Sequence, residues 1–128
     1  MPDAKVLLVD DDPVILKLLQ VNFEMEGYTV VTASDGVEGL EKARAERPDI
    51  VLLDIMMPRM DGLQVTKALK GDDDTREIPI ILLSAKAQAS DVQVGRDIGA
   101  DDYLTKPFDP LELLDRVGDL LKGGIREI

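Results

Sequence analysis

Five side chains capable of chemistry stand where apolar runs of this sequence end. Asp10 and Asp11 follow "VLLV", Asp54 follows "IVLL", Ser84 follows "IILL", and Lys106 closes "YLTK". Three carboxylates held within a few ångströms cannot all stay ionised without a counter-charge, because each raises its neighbours' pKa. A hard divalent cation with oxygen ligands resolves this, and Mg²⁺ keeps several waters beside one or two carboxylates. Such an ion could neutralise an incoming phosphoryl group and leave one carboxylate free as nucleophile. Lys106 supplies a point positive charge and Ser84 a hydroxyl, both suited to phosphoryl oxygens. Taken together, the residues read as a carboxylate that accepts a phosphoryl group with metal help.

That reading depends on a fold that brings distant residues together. Apolar runs rich in β-branched residues alternate with segments of helical period. Strands are expected at Lys5–Val9, Thr29–Thr32, Ile50–Leu53, Ile80–Leu83 and Asp102–Leu104. Helices are expected at Pro13–Glu26, at a segment capped by Ser34 or Asp35 and running to Ala45, and at Asp61–Lys70, Ala89–Ile98 and Pro110–Leu121. Pro13 suits a first helical position, and Asp109 suits the cap before Pro110. This alternation implies right-handed βαβ units and a parallel sheet covered on both faces. Ligands of open α/β sheets sit outside the carboxyl ends of the strands. Asp10, Asp11, Asp54, Ser84 and Lys106 are therefore expected to converge at one sheet edge.

Composition narrows the alternatives. The 128 residues carry no cysteine and no histidine, which excludes thiolate or imidazole metal ligands and any histidine-based triad within them. A formal net charge of −11 disfavours direct binding to nucleic acid or to an anionic membrane. Aromatic residues at 3% leave no stacking platform for bases. No run approaches the roughly 18 apolar residues a membrane span needs. The N-terminus lacks signal-peptide features, so a cytoplasmic location is expected. One domain over residues 1–121 is expected, with 122–128 as a tail or linker stub.

The stretches "VLLVDDD", "DIVLLDIMMPRMDG", "IILLSA" and "GADDYLTKPFDP" occur in the order and spacing of the receiver domain of two-component response regulators, which the chain resembles over residues 4–121. The resemblance implies a flavodoxin-like α/β fold with a five-stranded sheet of order 2-1-3-4-5. It also implies Asp54 as phospho-acceptor, and Asp10 and Asp11 as the acidic pair, with Asp11 the more direct ligand of Mg²⁺ (or Mn²⁺). Met56 would lend its backbone carbonyl to the metal, and Ser84 and Lys106 would hold phosphoryl oxygens. Tyr103 would be the aromatic whose rotamer reports the state, and the Lys106–Pro107 peptide would be cis. The implied donor is a histidine kinase or histidine phosphotransfer protein. The implied output is a change in the face made by the fourth helix, fifth strand and fifth helix, which controls a downstream protein or effector domain. The protein would be a signalling switch that catalyses only its own phosphorylation and dephosphorylation.

Other readings stand beside these. Asp12 reads as the cap of the helix that Pro13 enters. Taken alone, Tyr103 is a half-buried strand residue, Ser84 a loop hydroxyl and Lys106 a solvated cation. "GDDDTRE" at 71–77 reads as a solvated loop at the opposite edge, and the Gly95/Gly99 pair carries little weight. A haloacid-dehalogenase-like phosphatase would want a second acid two residues after the nucleophile, where Met56 stands. A degenerate receiver that only docks partners conflicts with the complete set of acids, hydroxyl and lysine, and a flavin module lacks its aromatics. Asp102, Glu112 and Arg116 match charged contacts of receivers that dimerise in winged-helix transcription factors. Val92 and Gly118 stand where those receivers carry basic residues. Both a monomer and a phosphorylation-dependent homodimer therefore remain open, and Met56, Ala85 and Lys86 are expected to tune phosphoryl lifetime.

Overall fold

A computed structural model describes residues 4–85 and 89–122, the side chains of residues 89–91 excepted. The elements alternate as β1 (Lys5–Val9), α1 (Pro13–Met25), β2 (Thr29–Ala33), α2 (Gly36–Glu46), β3 (Ile50–Asp54), α3 (Gly62–Lys70), β4 (Ile80–Ser84), α4 (Ala89–Asp97), β5 (Asp102–Thr105) and α5 (Pro110–Leu121). The five strands form one parallel sheet of order β2-β1-β3-β4-β5, as the alternation and the resemblance led one to expect. Lys86 and residues 123–128 lie outside the described residues, so their expected roles are not addressed by the fold.

The continuous apolar strands resolve into two alternating faces. Val6, Leu8, Ile50, Leu52, Ile81 and Leu83 point to the side covered by α1 and α5, where Leu19, Phe23, Leu113 and Val117 meet them. Leu7, Val9, Val51, Leu53, Ile80 and Leu82 point to the other side, against Ala43 of α2 and Val65 and Leu69 of α3. Period-two geometry thus divides the apolar runs between two cores, as expected for a sheet covered on both sides.

Helix starts follow the capping residues. Asp12, Asp35, Asp61 and Asp109 each have extended backbone and accept a bond from an amide of the first turn. Of the two candidates before α2, Asp35 is the cap, while the Ser34 amide donates to Glu38. Asp61 and Gln64 form a reciprocal capping box, which fixes how the chain leaves the segment after β3. Three strands run one residue further than their apolar runs, to Asp54, Ser84 and Thr105, and β2 ends at Ala33.

Candidate functional site

Register places the site. Val9 pairs with Leu53, so Asp10 and Asp54 follow side by side. Asp54 pairs with Leu83, and Ser84 pairs with Thr105, which puts Lys106 one step beyond. The Lys106 amide donates to the Ser84 carbonyl at 2.7 Å, tying the ends of β4 and β5 together. The edge expected from alternation alone is therefore assembled by ladder hydrogen bonds, and Asp10, Asp54, Ser84 and Lys106 all come to it.

Asp10, Asp11 and Asp54 each offer a carboxylate oxygen within 4.8 Å of the others. Asp10 and Asp54 are buried, whereas Asp11 is exposed. The Lys106 ammonium lies 3.0 Å from Asp10 Oδ2 and 3.5 Å from Asp54 Oδ2. Asp10 Oδ1 also accepts the Asp12 amide at 2.9 Å, and Asp54 Oδ1 accepts the Met56 amide at 3.4 Å. Ser84 is fully buried at the end of β4. The Lys106–Pro107 peptide is cis, as the resemblance implied.

Electrostatics single out Asp54. Its carboxyl is pushed up from 3.8 to about 6, first by burial and then by the Asp10 charge; Lys106 and the Met56 amide pull it partway back. Repulsion between carboxylates is thus the second cause, not the first as their sequence clustering suggested. Burial works against the charge on Lys106, but Asp10 and then Asp54 outweigh it and hold the ammonium above its ordinary range. Among the described residues, the Lys106 ammonium pairs with Asp10 and Asp54 while Asp11 completes the cluster, so the set keeps an excess of negative charge. All its donors are oxygens, which suits a hard divalent cation over a softer metal.

The loop after β3 forms the other wall. Met56 is exposed and shares with Asp11 an open cleft of about 460 Å³. Gly62 packs so closely under this loop that a Cβ there would lie 2.4 Å from the Asp54 carbonyl oxygen. Gly36 at the start of α2 is pressed against Met60 of this same loop, and Arg59, at φ 70°, reaches Asp35 at 3.0 Å. Sequence reasoning missed these supports. The "DG" dipeptides at 35–36 and 61–62 were the available signal. A separate apolar groove of about 390 Å³, bordered by Ile15, Leu18 and Phe108, opens beside Lys106. A further pocket of about 620 Å³ between Arg44, Lys67 and Asp72 lies at the opposite edge with the 71–77 loop and takes no part in the constellation.

Tyr103 is half-buried on β5 and packs toward α4, where Gly95 leaves room for its ring: a Cβ at Gly95 would lie 3.3 Å from Tyr103 Cδ2. The small residue at 95 therefore has a packing reason that its sequence spacing did not reveal. Asp102, Glu112 and Arg116 are also brought together, but within one chain. Arg116 donates to both Asp102 oxygens at 2.8 and 2.9 Å and to Glu112 at 3.1 Å.

Comparison with known proteins agrees with this geometry. The family model described as the response regulator receiver domain matches residues 6–118. The alkaline phosphatase synthesis transcriptional regulatory protein PhoP of Bacillus subtilis is 48% identical over 120 residues, covering 94% of this chain and 49% of that protein. The chain therefore spans about half the length of the curated relatives it matches. Among solved structures, the receiver domain of Francisella response regulator 1452 is 38% identical with a TM-score of 0.89, over 94% of this chain and 98% of that one. The receiver domain of sensor histidine kinase PA1611 of Pseudomonas aeruginosa is 30% identical with a TM-score of 0.87, over 94% of this chain and 99% of that one; its structure has a magnesium ion coordinated in the active site cleft. Shared sequence and shared topology lead to one assignment: the chain belongs to the response regulator receiver domain family, in which phosphorylation-dependent switching is the general function.

Proposed function

We propose that Asp54 is the phospho-acceptor of this receiver and that the other strand-end residues serve the transfer. The observation that carries the reading is a buried carboxylate, Asp54, flanked by Asp10 and Asp11 and faced by the Lys106 ammonium at 3.5 Å. The 128 residues hold no histidine, so the donor imidazole of a histidine kinase or phosphotransfer protein lies outside them. In the transfer an Asp54 carboxylate oxygen forms a bond to phosphorus and the phosphorus–nitrogen bond of the donor breaks. The electron pair returns to the imidazole, and water later releases inorganic phosphate and regenerates the carboxylate. The activity is that of a switch acting on itself, not of an enzyme turning over a separate substrate.

Asp10, Asp11 and Asp54, with the Met56 carbonyl, would hold Mg²⁺ or Mn²⁺. Bound there, the ion would offset the excess negative charge as the phosphoryl group arrives. Asp11, being exposed, is placed to exchange ligands with solvent, while Asp10 is oriented by the Asp12 amide and Lys106. Lys106 and the Ser84 hydroxyl would bind phosphoryl oxygens. Inward movement of Ser84 would let Tyr103 turn, shifting the α4–β5–α5 face toward a downstream protein or effector domain. No helix of the described residues is long and apolar enough to cross a membrane. We place the reaction in the cytoplasm, in the domain spanning residues 1–121.

Intact-mass measurement after incubation with acetyl phosphate tests the assignment. The wild-type protein should gain one phosphoryl group with Mg²⁺ and none in EDTA, and Asp54→Asn should gain none. Undiminished labelling of Asp54→Asn would refute Asp54 as the acceptor.

A further inference from the structure

The loop that follows Asp54 holds a backbone conformation that few side chains accept. Arg59 sits at φ 70°, in the left-handed region that favours glycine. Around it, the Met60 amide donates to the Pro58 carbonyl at 2.8 Å. A bond from residue i+2 back to residue i across a positive φ is the rare and strained kind of γ-turn. Glycine takes that conformation without steric cost. An arginine there persists when its side chain finds a contact that offsets the strain.

The contact is with α2. One guanidinium nitrogen, Nη2, lies 3.2 Å from Asp35 Oδ1 and 3.0 Å from Asp35 Oδ2. Asp35 is itself fixed, because its Oδ1 also accepts the Glu38 amide at 2.8 Å as the cap of α2. Beside the pair, Gly36 lies so close to Met60 that a Cβ would overlap the Met60 carbonyl oxygen. The turn at 58–60 is thus laid against the start of α2 by backbone contact and tied there by an ion pair. The two ends of the loop are anchored separately. The Ile55 amide donates to Leu83 at 3.0 Å, and the Gly62 amide donates to Ile55 at 2.9 Å. Met56 stands between these anchors, and its amide reaches Asp54 Oδ1 at 3.4 Å, near the long limit of a hydrogen bond. So weak a bond leaves the place of Met56 to be set by the loop around it.

We propose that Arg59 is a positioning residue: paired with Asp35, it holds the loop where the Met56 carbonyl can join Asp10, Asp11 and Asp54 on a divalent cation. The inference rests on the reading of Asp54 as acceptor and of Met56 as a metal ligand, and adds two residues that act through the loop. Both lie at the surface, with the Arg59 and Asp35 side chains 61% and 20% exposed. The effect is therefore that of a surface ion pair, and Mg²⁺ affinity should depend on it about two- to fivefold.

Methionine-methyl NMR of the whole chain, first in EDTA and then through a Mg²⁺ titration, tests this. Arg59→Gly removes the pair and relieves the backbone. Asp35→Asn removes the charge but keeps a cap on α2, since asparagine caps as well as aspartate. In EDTA both variants should move the Met56 and Met60 signals and leave that of Met25, on α1, in place. Each should weaken Mg²⁺ binding about two- to fivefold, and the double variant no more than either alone. Arg59→Lys, which keeps a cation, should recover most of the affinity. Arg59→Gly should be no less stable to denaturant than wild type, which separates positioning from loss of fold. The sign of the change discriminates further. By charge alone, losing Arg59 would tighten Mg²⁺ binding and losing the Asp35 charge would weaken it; loss of positioning weakens both. Tighter binding in Arg59→Gly, additive losses in the double variant, an affinity loss matched by a loss of stability, or unchanged affinity in both single variants would overturn the proposal and leave the metal reading standing. A wild type that binds no Mg²⁺ would overturn that reading and this inference with it.

Discussion

Asp54 occupies a place where folding works against its own charge. Its carboxyl is pushed up to about 6 by burial and by Asp10, against 3.8 when free. A carboxyl with a raised folded pKa contributes stability that is fully present below about pH 3.8 and is lost as pH rises through about 6. In EDTA at neutral pH, Asp54→Asn should therefore stabilise the protein by roughly 2–3 kcal/mol. At pH 4 the gain should vanish, because protonated Asp54 and asparagine are both neutral. Denaturant melts of both proteins at pH 4 and 7.5 check this; an equal gain at both would sink the charge explanation. The adjacent acids divide by role. Asp12 caps α1 through its bond from the Val14 amide at 2.9 Å, whereas Asp11 joins the carboxylate cluster. Asp12→Ala should cost about 1 kcal/mol of stability with Mg²⁺ affinity changed less than about twofold. Asp11→Ala should do the reverse, lowering Mg²⁺ affinity by about tenfold or more by calorimetric titration while leaving stability almost unchanged. Asp10, Asp11 and Asp54 could be named from sequence because carboxylates after apolar runs have few other reasons to recur. Lys106 could be placed at the edge, but its bridging of Asp10 and Asp54 is a side-chain geometry that sequence does not encode legibly.

At the scale of the elements, the apolar patterning disclosed all five strands and five helices, and the capping residues disclosed most helix starts. The strand ends were less legible. Asp54 and Ser84 look like terminators because they are polar, yet the ladder continues through both, with the Ile55 amide donating to Leu83 at 3.0 Å. Backbone pairing is indifferent to side-chain polarity when a neighbouring strand is in register, and that register depends on the partner strand. Glycine roles were hidden for a similar reason. Gly62 and Gly118 both lie within helices, but a Cβ added at Gly62 would lie 2.4 Å from the Asp54 carbonyl oxygen, while a Cβ at Gly118 meets nothing within 4 Å. Gly62→Ala should destabilise by about 2–3 kcal/mol through overpacking, and should weaken Mg²⁺ binding because the displaced atoms belong to the acceptor residue. Gly118→Ala should instead stabilise by about 0.5–1 kcal/mol through helix propensity, leaving Mg²⁺ binding unchanged. Paired melts and titrations of the two variants separate these outcomes. A destabilised Gly118→Ala would show that α5 is held by something other than the packing described.

For the molecule as a whole, an excess of eleven negative charges is distributed unevenly, with three acids gathered at one sheet edge beside Lys106. The overall acidity was visible in the composition and weighs against direct binding of nucleic acid or an anionic membrane by these residues. Its concentration at one edge was visible only through the alternation of strands and helices, because register brings Asp54 beside Asp10. At the other face Asp102, Glu112 and Arg116, which match charged contacts between chains, also close a network within one. Two separate effects of salt follow from this distribution. General screening relaxes the self-repulsion of the whole chain, and any cation supplies it in proportion to ionic strength. Site binding acts only through the acidic cluster and stabilises the folded state by mass action, about 1.4–2.7 kcal/mol at tenfold to hundredfold excess over the dissociation constant. For a domain of this size that corresponds to a rise in Tm of roughly 5–10 °C. MgCl₂ at 10 mM, compared at pH 7.5 with NaCl of equal ionic strength, should therefore raise the wild-type Tm by that additional amount. Asp11→Ala should retain the screening component and lose most of the remainder. If NaCl reproduces the whole rise, the acidic edge is a region of diffuse charge and not a metal site.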